Sequence, residues 1–152
     1  MNWKLILLGG LAYYVTIFIL SMATGAVIHE GILDAPYRAT TEFWRPELTQ
    51  DPPDMAALMP LWIFNGLVGA FVVAAIYSWI RSAFSGPAWK RGLTYGLILA
   101  LLGSTFSLGW SGIFNLPGVI WFWWTVEMVF LFLAGATVLG VLAEKLSPQQ
   151  GT

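Results

Sequence analysis

A carboxyl deep inside an apolar stretch is the first group in this sequence able to do chemistry. Glu127 is the only formally charged side chain well inside any of the four long apolar runs. An ionised carboxyl at the centre of a bilayer costs roughly 3 kcal/mol or more unless it is paired, wetted or neutralised. Glu127 sits about seven residues into its run, roughly 10 Å deep at about 1.5 Å per residue. Its own-face neighbours are Trp123, Trp124, Phe130 and Leu131, so any partner must come from another helix. Ser21, Asn65, Ser104 and Ser107 fall at comparable depth and complete a candidate membrane-embedded polar site. Burial favours the neutral acid. Two roles follow: a proton-coupled transport site or ion pathway, or a protonated carboxyl that hydrogen-bonds helices together.

A second polar group lies where the first apolar run ends: His29, Glu30, Asp34, Arg38, Glu42 and Arg45. His29 and Glu30 are adjacent and point about 100° apart on a helix, so they form no helical metal pair. Asp34, Glu47, Asp51 or Asp54 can return in space to build an oxygen-rich cation site, which leaves metal binding open. A solvated acidic loop accounts for the same residues more plainly, because their spacing matches no ligand motif. The run Trp121, Phe122, Trp123, Trp124 points all round a helix. It reads as an interfacial aromatic girdle, with a pigment, quinone or sterol pocket as the sharper alternative.

Other chemistries are removed by composition. With no cysteine there is no disulfide, thiol relay or thiolate metal site, and the single histidine cannot ligate a haem twice. No nucleophile-base-orienter arrangement, phosphate loop or nucleic-acid patch is present. Neither an enzyme nor a resident cofactor is expected.

The elements that must position these groups are transmembrane helices. Hydrophobic residues make up 58% of the 152 residues and charged ones 10%, against roughly 25% charged in an average soluble domain. The apolar runs 5–28, 61–80, 93–110 and 119–143 each approach or exceed the roughly 18 residues that cross about 30 Å of hydrocarbon. They lack the alternation of a transmembrane barrel. The expected fold is all-α: a single integral-membrane domain, a four-helix bundle, joined by a long connection at 29–60. A signal peptide is the alternative for the first run, but its apolar stretch exceeds the roughly 7 to 15 residues of such segments.

The long connection holds Glu30, Asp34, Glu42, Glu47, Asp51 and Asp54 against Arg38 and Arg45, while Lys4, Arg81, Lys90, Arg91 and Lys145 gather on the opposite side. The positive-inside rule then puts both termini in the cytoplasm and the connection outside, as in a bacterial cytoplasmic membrane. Trp3, Trp79 and Trp89 on one side and Trp44, Trp62, Trp110 and Trp121 on the other fit two interfacial belts. Within the connection, Asp34 is expected to cap a short helix running to Arg45, flat on the outer surface, with Arg38 paired to Glu42. Asp54 is expected to cap the turn into the second span. Small residues four apart, at Ser21 and Gly25, Gly66 and Ala70, Gly92 and Gly96, and Ala136 and Gly140, mark places where helices can approach closely.

In size and architecture the chain resembles the small multidrug transporters, which also use one embedded glutamate. Theirs lies on the first helix between short loops of little charge bias, so no residue carries over. The sparse polar inventory points first to a non-catalytic accessory or assembly subunit of a membrane complex, or to a self-associating bundle. The alternative is a small proton- or cation-coupled transporter acting through Glu127. Expected partners are the lipid bilayer and a membrane protein or further copies of the chain, with no nucleic acid.

Overall fold

The computed structural model describes residues 2–148 and is helical throughout, with four helices long and apolar enough to cross a membrane. The first, α1, runs Leu5–Ile32; its α-helical body Gly10–Val27 is flanked by wider π-wound turns at Leu5–Gly9 and Ile28–Ile32. A short helix α2 follows at Asp34–Arg38. The remaining long helices are α3 (Met55–Ile80), α4 (Ala88–Gly109) and α5 (Gly118–Leu146). All four extend beyond the apolar runs, because polar residues at a membrane boundary continue a helix as readily as apolar ones.

Local chemistry sets the ends. The Asp54 carboxylate accepts from the Ala57 amide at 3.1 Å, the expected cap, so α3 starts before Pro60 and carries that proline inside it. Pro87 and Pro117 precede α4 and α5, where a fixed φ and a missing N–H cost a helix nothing. Gly86, at φ 97°, makes the left-handed turn that aims the chain into α4.

Helix α5 is the spine: α4 lies along it most extensively, α1 packs on another side, and α3 packs on α1. Glycine permits the α4–α5 approach. A Cβ at Gly92 would fall 2.3 Å from the Ala136 carbonyl oxygen, and one at Gly140 would fall 2.6 Å from Gly92 Cα. Two of the four small-residue pairs therefore face each other. Gly66 is instead covered by the Tyr14 ring, and Ala70 packs against Gly10. The main core holds Leu5, Tyr13, Ala70, Ala74, Tyr77, Tyr95, Ala136, Leu139 and Ala143. Within it Tyr95 Oη donates to the Val73 carbonyl at 2.9 Å, joining α4 to α3.

The connection between α1 and α3 departs from the expected single helix to Arg45. Helix α2 stops at Arg38, and 3-10 turns follow at Thr41–Phe43 and Pro46–Leu48. Side chains take the carbonyls that would continue it: Thr40 Oγ1 donates to the Pro36 carbonyl at 2.9 Å, and Trp44 Nε1 to the Tyr37 carbonyl at 3.1 Å. Arg38 pairs with Asp34 at 3.0 Å and not with Glu42, which is exposed. Asp34 is thereby used in an ion pair, and no side chain caps α2. Arg45 pairs with Glu47 at 3.2 Å, which holds the Glu47 carboxyl below its ordinary range.

Trp44 is half-buried against Tyr37 and Trp124, whereas Arg45 is exposed. Trp44→Glu should therefore speed proteolysis between Ala39 and Pro53 severalfold, and Arg45→Glu should not. Equal cleavage of the two variants would show that Trp44 does not anchor this segment.

Candidate functional site

Glu127 lies in the third turn of α5 and is 9% exposed. Two donors from α1 converge on it. Thr24 Oγ1 donates to Oε1, and His29 Nε2 lies 2.8 Å from Oε2. Residues five apart point about 140° apart on a regular α-helix, so Thr24 and His29 would not ordinarily reach one carboxyl. The π-wound turn brings them round: Leu33 N–H bonds the Ile28 carbonyl five residues back at 2.8 Å, widening the helix where His29 leaves it.

His29 is held from its other side. Its Nδ1 lies 2.7 Å from Tyr37 Oη, and that oxygen accepts from Trp124 Nε1 at 2.7 Å. The His29 and Tyr37 rings stack at 5.9 Å. A small apolar cluster of Ile28, Leu33 and Ile120, flanked by Trp44, Leu116, Trp123 and Trp124, roofs the assembly. Burial pushes the Tyr37 phenol above its ordinary value; the Trp124 N–H opposes this and the Glu127 charge adds to it. Tyr37 stays a neutral phenol across the physiological range.

These contacts fix where protons can sit. With no proton shared between the acid and the imidazole beyond the neutral ring's own, Tyr37 O–H donates to Nδ1, and Nε2–H donates to a carboxylate. One further proton gives either an imidazolium beside a carboxylate or a neutral acid donating to Nε2, with Nδ1–H now donating to Tyr37 Oη. These last two forms carry no net charge, the condition a low-dielectric site favours. His29 Nε2 and Glu127 Oε2 are thus the two ends of one hydrogen bond, and a single proton can rest on either. The side chain of His29 is 36% exposed and that of Glu127 is 11% exposed, so the histidine is the more open end of the contact.

Beside the pair is a pocket of about 380 Å³ lined by Ile17, His29, Ser107, Trp124, Glu127, Met128, Leu131 and Phe132. It opens between the α1 and α4 sides of the spine helix. No family model, curated protein or solved structure matches this chain. The site must therefore be read from its own geometry.

Of the five residues expected to form the embedded site, Glu127 and Ser107 share the pocket. Ser21 Oγ donates to the Phe18 carbonyl at 3.0 Å. Asn65 is exposed on α3, and Ser104 is half-buried on α4. Glu127 is instead bonded by Thr24, unforeseen because only serines and Asn65 were matched to it by depth, and by His29, which sequence grouped with the connection. Of that second group only His29 enters the site. Glu30 is exposed, and Asp34, Arg38 and Arg45 are engaged in the ion pairs above. Among the described residues no three His, Asp or Glu side chains gather closely enough to hold a metal ion.

At the far end of the bundle Arg91 pairs with Glu144, and Arg81 donates to the Ala143 carbonyl at 3.2 Å and to Ser147 Oγ at 2.9 Å. These contacts tie α3 and α4 to the end of α5 and lie away from the pocket.

Tyr37→Phe should remove the acceptor of Trp124 N–H and the partner of His29 Nδ1 together. The expected cost is about 1–3 kcal/mol, as for other buried groups left unpaired. Thermal unfolding in detergent should fall clearly below wild type, while Tyr14→Phe changes little. An unchanged Tyr37→Phe protein would show that this oxygen does not organise the site.

Proposed function

We propose that this small multi-pass membrane protein is a proton-coupled transporter in which His29 and Glu127 bind the coupling proton. The single observation that supports this reading is the 2.8 Å contact between an imidazole and a carboxyl inside the spanning region, beside an apolar pocket. A purely structural carboxyl can be satisfied by donors that do not titrate, as Thr24 is. Here an acid is hydrogen-bonded to the one kind of side chain whose ordinary titration lies near neutral pH, and that side chain is the more exposed of the two. In the expected threading, with both termini inside, His29 lies toward the outer side and accepts protons from the side of the acidic connection.

The test is solute-driven pH change in proteoliposomes containing a pH-sensitive dye. Wild type should show it, and Glu127→Gln should abolish it while remaining folded, since an amide cannot release a proton. Full pH-linked flux in Glu127→Gln would end the proposal. The threading is tested separately by tags. Those at either terminus should be protected from external reagent, and one between Glu47 and Pro53 should be accessible.

The accessory-subunit reading is favoured by a different observation. Only 11% of the most apolar stretch of the second span is buried within the chain, against 33% for the fourth. So much free helix surface suits a membrane partner or a second copy. A heterologous protein co-purifying in mild detergent, together with absence of flux, is the outcome that would favour it.

A further inference from the structure

Around Glu127 the hydrogen-bond donors are spent inside the protein, and acceptor capacity remains toward the pocket. His29 Nε2 and Thr24 Oγ1 are committed to the carboxyl, and Trp124 Nε1 is committed to Tyr37. Each carboxylate oxygen can accept about two hydrogen bonds and receives one here. Ser107 is the remaining hydroxyl in the lining, which contains no lysine or arginine. The other walls are the Trp124 and Phe132 rings with Ile17, Met128 and Leu131. A volume of about 380 Å³ falls within the roughly 300–1,000 Å³ of small-molecule sites.

This inventory discriminates between ligands. A carbonyl-rich molecule such as a quinone needs donors and finds one hydroxyl. An anion meets a carboxyl, and the one lining group able to carry positive charge, His29, is already turned to that carboxyl. A neutral hydrocarbon gains nothing from the acid. A primary ammonium on an apolar body supplies N–H groups to the open carboxylate sites and positive charge to the two aromatic faces, while its body fills the apolar wall.

We propose that the pocket binds a primary-amine cation with a small apolar body, in exchange for the proton held by His29 and Glu127. The proposal deepens the transport reading and rests on it. The exchange balances: the ammonium enters the singly protonated, neutral pair, one proton leaves to solvent, and the site's net charge is unchanged. Of the elements packed around Glu127, α1 brings His29 as a titratable group, α2 brings Tyr37, and α4 brings the uncharged Ser107.

The probe is 2-phenylethylammonium, with 2-phenylethanol as the neutral analogue, titrated calorimetrically into detergent-purified protein in weak buffer with a pH electrode. The ammonium should bind with release of close to one proton. Its affinity should fall about tenfold per pH unit once the pair is protonated. The alcohol should bind at least tenfold more weakly, and Glu127→Gln should bind both compounds alike. Equal binding of amine and alcohol to wild type, or amine binding without proton release, overturns the proposal. Proton uptake by the ligand-free protein is followed separately through the carboxyl infrared band absent from Glu127→Gln together with the imidazole nitrogen-15 shifts of His29, so that a proton on either group is seen. Uptake present with no proton-linked amine binding sinks the ligand class and leaves the transport reading standing. Uptake absent sinks both.

Discussion

Gly140→Ala should cost the protein about 3 kcal/mol of stability or more, the upper range for overpacking a tight interior, and Gly92→Ala should do the same. The reason is that the obstructing atoms are backbone. A methyl at Gly140 would meet Gly92 Cα at 2.6 Å and the Ala88 carbonyl oxygen at 2.7 Å, so no rotamer change can relieve it. The only escape is for α4 and α5 to separate along their length, which forfeits the largest helix contact in the molecule. Gly69→Ala is the control. It sits in α3 with no atom within 4 Å of the added carbon, and alanine favours a helix over glycine by about 1 kcal/mol. Thermal unfolding in one detergent should separate the variants widely. If Gly140→Ala and Gly69→Ala melt together, the close α4–α5 approach is not what holds this chain together.

The close helix approach was legible only in part: small-residue spacing permits it, and two of the four pairs meet across α4 and α5, but the spacing does not say which helices pair. Gly92 and Gly96 stand across from Ala136 and Gly140. The number of spans was legible: a run long enough to cross hydrocarbon has few other places to go. The exact helix ends were less so, because hydropathy falls before the helix does. That difference of a few residues had consequences for the site. Ending the first span at Ile28 put His29 in an aqueous loop, whereas the helix continues to Ile32 and keeps His29 beside the embedded acid.

Glu127 was identifiable because a lone carboxyl at that depth is costly. Its partners were not, because their meeting depends on a π-wound turn that has no periodic signature in the residues around it. Thr24 and His29 are five apart, a spacing that regular helical geometry assigns to different faces. Tyr37 and Trp124 are 87 residues apart and join only because α2 folds back over the end of α5. The missed end of α2 has a similar origin. Thr40 and Trp44 break the helix through side-chain bonds to its carbonyls, whereas residue spacing alone suggested continuation.

Glu127→Gln should leave the protein folded and remove the carboxyl's share of its reversible proton uptake, and the tautomer of His29 should report which way the new amide is turned. The alternatives follow from counting hydrogens. The carboxyl accepts from two sides, Thr24 Oγ1 at one oxygen and His29 Nε2 at the other. An amide offers one oxygen and one NH₂, so one of the two donors must give way. If the oxygen keeps Thr24, the NH₂ faces His29, whose Nε2 must become an acceptor with its proton moved to Nδ1, donating to Tyr37 Oη. In the reverse orientation the amide oxygen keeps His29 Nε2–H, the NH₂ donates to Thr24 Oγ1, and the ring needs no change of tautomer. Thr24 can then turn to the Leu20 carbonyl, 3.1 Å away, or the Ser21 carbonyl at 3.3 Å. Those fallback acceptors keep the cost of Glu127→Gln to about 1 kcal/mol, one net hydrogen bond. Glu127→Leu removes the Nε2 partner and should cost about 1–3 kcal/mol, as for a group left unpaired. Nitrogen-15 chemical shifts of the imidazole report the tautomer directly, and the same preparations give proton uptake and melting temperature. Proton uptake in Glu127→Gln equal to that of wild type would place the titrating group elsewhere. An Nδ1-protonated ring in that variant places the amide oxygen on Thr24, and an Nε2-protonated ring places it on His29.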